Sequence, residues 1–216
     1  MKRAIPFSAA AAALAAALAS CGGPLGAEPA SASAPAPAPD SADRLYLDVH
    51  HLDPADVTVE GVAEAHRQDL AIQAEHGVRY ERYWVDEDAG TIYCLVRAPS
   101  AEEANDVHRR SHGLVADEIH PVEEGILPAP ATGGRLFMDT HEAGAGVRAA
   151  DVADAHRKDL AVQGEHGVRF LEYWVDESSG RIHCLAEAPD AEALIETHRR
   201  AHGLLPTAVS RVVAGD

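Results

Sequence analysis

The chain has 216 residues, with 18 Lys and Arg set against 35 Asp and Glu, for a formal net charge of −17. No basic patch interleaved with aromatics exists, so nucleic acid is excluded as an expected partner. Thirteen histidines stand out, and all lie between His50 and His202.

Met1-Lys2-Arg3, a short Ala/Leu run and Leu18-Ala19-Ser20-Cys21 together read as a secretory signal over residues 1–20, too short to span a membrane. The Leu-Ala-Ser-Cys ending resembles a bacterial lipoprotein signal, in which Cys21 becomes the lipidated first residue. Acyl chains there anchor the protein to a membrane at roughly 0.8 kcal/mol per buried methylene. Cleavage near Ala27 as an ordinary signal is the alternative. Losing Lys2 and Arg3 leaves 16 basic against 35 acidic groups, a net −19. Residues 21–42 are almost all Pro, Ala, Ser and Gly, a tether that cannot build a core. The expected location is the periplasm or cell surface, as a membrane-anchored lipoprotein.

The rest is a duplication. Val62–Pro99 and Val152–Pro189 align without a gap and are identical at 25 of 38 positions. A period of about 90 residues is too long for a solenoid, so each copy is a domain. The expected limits are 43–124 for the first, 125–134 for a linker and 135–214 for the second.

In chain order, Arg44–His51 alternates Leu45, Leu47 and Val49 with Tyr46, Asp48 and His50, the pattern of a half-buried strand. A helix follows over Val62–His76, capped by Asp56 or Thr58 and stopped at Gly77. Val78–Asp86 and Thr91–Val96 form a hairpin about Asp88-Ala89-Gly90. Ser100 with Glu103 opens a second helix that ends at His112-Gly113, and Asp117–Val122 is the last strand. The second copy repeats the order, with strands near Arg135–His141 and Ala208–Val213 and helices near Ala150–His166 and Ala191–His202. A β-α-β-β-α-β order predicts an α+β fold: two tandem ferredoxin-like domains. An 80-residue copy buries little surface alone, so an intrachain pseudo-dimer is expected.

Polar residues fall where hydrocarbon belongs. On the first helix, His66, Asp69 and Gln73 sit inside the apolar arc, as do His156, Asp159 and Gln163 on its repeat. Such groups must be satisfied by something. Asp48 and His50 share a strand face, away from Leu47 and Val49, which places them at a possible interface between copies. His108 and His112 lie at i, i+4. Imidazole with carboxylate suits nickel, zinc or cobalt. The candidate metal ligands are therefore Asp48, His50, His66, Asp69, His108 and His112, with Asp139, His141, His156, Asp159, His198 and His202 in the second copy. Cys94 and Cys184, one per copy, cannot pair within a domain; they read as core residues or, alternatively, soft ligands. His51, His120 and His183 each occur in one copy only and read as surface residues. Trp84, Tyr83, Trp174 and Tyr173 read as sheet core or interface.

Asp48-Val49-His50, Ala65-His66-x-x-Asp69-Leu70-Ala71-x-Gln73, Tyr83-Trp84-Val85-Asp86-Glu87, Cys94-Leu95 and His108-Arg109-Arg110-x-His112-Gly113-Leu114 together resemble a family of small bacterial ferredoxin-like proteins associated with nickel. The resemblance covers residues 44–123 and 135–213. It implies a ferredoxin-like dimer that binds Ni²⁺, with Zn²⁺ or Co²⁺ as alternatives, for sequestration rather than catalysis. Members are mostly single, unexported domains, so the tandem copies and the lipoprotein signal depart from the pattern. Two rival readings remain: a small-molecule enzyme using His66/Asp69 and His156/Asp159 as base pairs, and a structural envelope protein without metal. The enzyme requires a cavity of at least a few hundred Å³ beside His66.

Overall fold

The computed structural model describes residues 43–126 and 131–216. The signal, Cys21 and the tether lie outside the described residues. Copy 1 comprises β1 (Arg44–His51), α1 (Val59–Ile72), β2 (Arg79–Asp86), β3 (Thr91–Ala98), α2 (Ala101–Ser111), β4 (Glu118–Pro121) and β5 (Glu123–Ile126). Copy 2 comprises β6 (Leu136–Glu142), α3 (Ala149–Val162), β7 (Arg169–Asp176), β8 (Arg181–Glu187), α4 (Ala191–Ala201) and β9 (Ala208–Gly215).

Local chemistry sets the helix limits. Thr58, not Asp56, caps α1, its Oγ1 accepting from Gly61 N at 3.0 Å. Beyond Ile72 the helix tightens into a 3₁₀ turn over Gln73–His76, and Gly77 closes it at φ 63°. Gln73 leaves the helix face to accept from Tyr80 N at 2.6 Å, beside the β2 irregularity between Tyr80 and Arg82. Ser100 caps α2 by accepting from Glu103 N at 3.2 Å.

The strands form one nine-stranded sheet in the order β4-β1-β3-β2-β9-β6-β8-β7-β5. Each copy supplies an antiparallel four-strand unit, and the last strand of each runs on into the other copy. Val213–Gly215 of β9 pair with β2, and Glu123–Ile126 of β5 pair with β7. The strand thus continues through Gly125 and Ile126, which the sequence reading assigns to the linker. Only Val122 separates β4 from β5, the two edges of the order, so the sheet curls back to where it begins. Val122 N donates to Leu45 O at 3.0 Å there. Gly125 and Gly215 are required by close approach: a Cβ on either would fall about 2 Å from the ring of Tyr173 or Tyr83.

The curl gives the sheet an inner and an outer face. The inner core combines Leu45, Leu47, Val49, Trp84, Tyr93 and Leu95 with Met138, Leu171, Trp174, Leu185 and Val212. The rings of Trp84 and Trp174 lie 5.0 Å apart across it. Each side chain of that size contributes about 1.5–3 kcal/mol on burial. The outer face is covered by helices, with Tyr46, Val85, Cys94, Val96, Ala104 and Val107 packed together in copy 1.

This corrects the predicted position of Asp48 and His50. The purely apolar face of β1 meets the other copy. The face carrying Asp48 and His50 lies beneath the helices of its own copy.

Candidate metal centre

Beneath α2, Asp48 is fully buried and His108 is 2 % exposed. His108 Nε2 stands 3.1 Å from Asp48 Oδ2. Its Nδ1 stands 3.2 Å from Asp69 Oδ1 on α1 and 3.1 Å from His112 Nε2, one turn further along. His112 Nε2 in turn lies 3.2 Å from Asp69 Oδ2. Copy 2 repeats the set: His198 to Asp139 and to Asp159 at 3.2 Å, His198 to His202 at 3.3 Å, and His202 to Asp159 at 3.2 Å.

An imidazole flanked by two buried carboxylates is held as its cation. Burial pulls the pKa of His108 down, but Asp48, by charge and hydrogen bond, and Asp69 outweigh it and set the value at about 9. His198 also reaches about 9 against burial, through Asp139 and Asp159. The partners respond in kind: burial raises Asp48 and Asp69, yet His108, with His50 or His112, brings both well below the usual carboxylate range. Without an ion, a proton on His108 fills the role of positive charge in the site.

The same donors can hold a metal ion. Ligand bonds of about 2.1 Å place neighbouring donors about 3.0 Å apart on an octahedral face and about 3.4 Å apart in a tetrahedron. The triangle of His108 Nδ1, His112 Nε2 and an Asp69 oxygen has edges of 3.1–3.2 Å, close to an octahedral face. Asp69/His108/His112 and Asp159/His198/His202 each form such a compact donor group. So do Asp48/His50/Cys94/His108 and Asp139/His141/Cys184.

The chain matches the family described as "Nickel responsive protein SCO4226-like" over residues 46–122 and 137–212, once for each copy. It belongs to that family. SCO4226 from Streptomyces coelicolor A3(2) is 38% identical, over 35% of this chain and 93% of its own, with a TM-score of 0.34. A provisional monooxygenase from Lactobacillus acidophilus NCFM is 11% identical, over 80% of this chain and 94% of its own, with a TM-score of 0.42. A provisional chlorite dismutase, TA0507, is 14% identical over 79% and 95%, also at 0.42. None of the curated proteins compared with the chain matches it.

Ten of the twelve nominated ligands fall inside the four donor groups; His66 and His156 do not. His66 packs against the ring of Tyr83 at 4.9 Å, and its buried Nε2 meets no partner. Asp69, expected to pair with it, turns to α2 and also accepts from Ser111 Oγ at 2.5 Å. In copy 2, His156 stacks on Tyr173 at 4.2 Å and its Nδ1 reaches Asp159 only at 3.5 Å. Burial lowers the pKa of His66 and takes that of His156 to about 4, so both rings are neutral.

The two cysteines lie in the core, as expected; two histidines were misread. Cys94 faces Asp48 directly across the β1–β3 ladder, so the register itself could have placed it in the site. His120 and His183 are buried, not on the surface. His120 Nδ1 lies 3.1 Å from Asp176 of copy 2, and His183 Nδ1 lies 3.1 Å from Thr140 Oγ1. His120 shares its strand face with Val122, which is the signal that would have turned it inward. His51 is exposed, as expected.

A cavity of about 130 Å³ adjoins the copy 2 centre, lined by His141, Asp159, His198 and His202 among others and walled by Val147, Val152 and Leu205. It has room for a few waters, against the few hundred Å³ common for small-molecule substrates.

Proposed function

We propose that this protein is an extracytoplasmic, lipid-anchored buffer for divalent metal, Ni²⁺ first, that sequesters the ion and turns nothing over. The observation that carries the reading is the pair of Asp/His/His triangles, Asp69/His108/His112 and Asp159/His198/His202, whose edges of 3.1–3.3 Å suit donors around one ion in both copies. Two imidazoles and one carboxylate leave positions for water, the coordination that suits Ni²⁺. The family's description and the cluster of histidines support the same metal. Met1–Cys21 and the Pro/Ala tether support export and anchoring.

Binding exchanges charge for charge. An ion entering the triad expels the proton from His108 Nδ1, so uptake releases protons and weakens as pH falls. It also shifts the His112 proton. Leu114 N now donates to His112 Nδ1 at 3.2 Å; a ring ligating through Nε2 carries its proton on Nδ1 and loses that bond. Amide exchange at Leu114 should therefore rise on loading, and an unchanged rate would argue against His112 as a ligand.

Calorimetric titration of the mature chain with Ni²⁺, Zn²⁺ and Co²⁺ tests the function directly. Saturable uptake with proton release is expected; no saturable uptake of any of them ends the proposal. Incorporation of labelled palmitate, lost in Cys21→Ser, tests the anchor separately.

A further inference from the structure

The outer triad uses only one nitrogen of His108. We infer that the other face of the ring belongs to a second, thiolate-bearing metal site, so that His108 bridges two ions; this rests on the triad being a metal site.

Around His108 Nε2 stand Asp48, His50 and Cys94, and one donor atom from each lies within 4.8 Å of all the others. The four residues are 0–6 % exposed. Asp48 Oδ1 is enclosed and accepts no hydrogen bond, although His50 Nε2 is 3.5 Å away. In copy 2, Asp139 Oδ1 is equally bare, with His141 Nε2 only 3.0 Å off but misaligned for a ring N–H bond. A buried oxygen left in that state is destabilising, and the chain carries the feature twice. The free oxygen of Asp48 beside His50, and that of Asp139 beside His141, crowd an imidazole nitrogen without bonding it, and are placed as ligands of a common ion.

The donor set differs in kind from the outer triad. Carboxylate, imidazole and thiolate together select a borderline-soft divalent ion such as Zn²⁺ or Co²⁺. The outer triad has open positions and is the harder, octahedral partner. On double loading, His108 gives up both ring protons and Cys94 its thiol proton, all to solvent, because a coordinated thiol is deprotonated. Asp48, Asp69, the thiolate and the imidazolate then carry four negative charges against the four positive charges of two ions. A buried site closes at neutrality.

Cobalt is the probe. Titrating the mature chain with Co²⁺ should produce a near-ultraviolet thiolate-to-metal band that Cys94→Ser halves and the Cys94→Ser/Cys184→Ser pair abolishes, while the outer ions still bind. His108→Ala should remove both ions from copy 1. The magnetic moment of the fully loaded chain should fall below the sum for isolated ions, the signature of a bridge. Saturable Co²⁺ uptake with no thiolate band overturns the inner site and leaves the outer reading standing; a moment equal to the isolated sum overturns the bridge. Absence of any uptake overturns both readings, and because the band and moment are read on the unaltered chain, a misfolded variant does not obscure the result.

Discussion

In copy 1, His108 Nδ1 and His112 Nε2 are 3.1 Å apart; in copy 2, His198 and His202 show 3.3 Å. The residues around them have drifted further. Ser111, which donates to Asp69, is Ala201 in copy 2. Tyr80, whose hydroxyl donates to Ala104 O at 2.9 Å, is Phe170. At the meeting of the copies, His120 and Asp176 form a pair whose counterparts are Ser210 and Asp86. The triad geometry is fixed by backbone: one turn of helix sets His108 against His112, and packing of α1 on α2 sets Asp69. Supporting hydrogen bonds are side-chain choices that can differ without moving a donor. The copies should thus share coordination and differ in affinity.

The sharpest way to break this comparison is His108→Ala against His198→Ala. Each leaves two buried carboxylates without their cation, which costs about 3–5 kcal/mol, and each should empty only its own copy. Urea unfolding and calorimetry on the two variants check it. Loss of binding in both copies from one substitution would show that they are coupled.

Next in size is the pH response of metal-free protein. His108 and His198 rise from about 6.5 to about 9 on folding; their contribution is complete below pH 6.5 and lost as pH climbs through 9. Asp48 and Asp69 fall below their ordinary value; theirs is present above about pH 4 and lost in stronger acid. Stability should therefore peak near pH 6.5: it declines on the alkaline side by about 3 kcal/mol per site, and it declines in acid because His66, His156 and His183, held neutral by burial, take up protons on unfolding. Ion affinity should run the other way, strengthening as pH rises. Thermal melts across pH 4–10 read the first, and titration at several pH values reads the second.

Ser111→Ala makes copy 1 resemble copy 2. It removes a hydrogen bond to a charged acceptor, worth about 1.5 kcal/mol, and should bring the two copies' affinities together. Equal affinities before the change would show that Ser111 plays no part. Smallest is His120→Ser, which imposes the Ser210 arrangement on its counterpart. A loss of about 1 kcal/mol with no change in ion uptake is expected, since His120 lies apart from the triads.

Element order and type were legible because helical and strand periods are distinct and the repeat doubles the signal. β1 and the Ser100 cap match the sequence reading. The orientation of β1 was not legible. An apolar strand face is ordinarily assigned beneath helices, but here two copies meet through the more apolar face, and the helices cover a polar network. Face polarity alone does not say which neighbour it meets. His108 and His112 were legible from their i, i+4 spacing. The partnership of Asp69 with α2 instead of His66 was not, because it depends on how two helices pack. Cys94 was obscured by its apolar neighbours in sequence, although its cross-strand neighbour is Asp48.

The exchange of strand ends between copies reaches beyond architecture. A half-length version of this chain would carry a raw edge at β2 and an overhanging β5 with nothing to lie against, and would bare Trp84 to water. Such a fragment should seek out another of its kind or precipitate. By holding both halves on one thread, the chain settles at synthesis which surface each half will meet, at a concentration no separate partner could match.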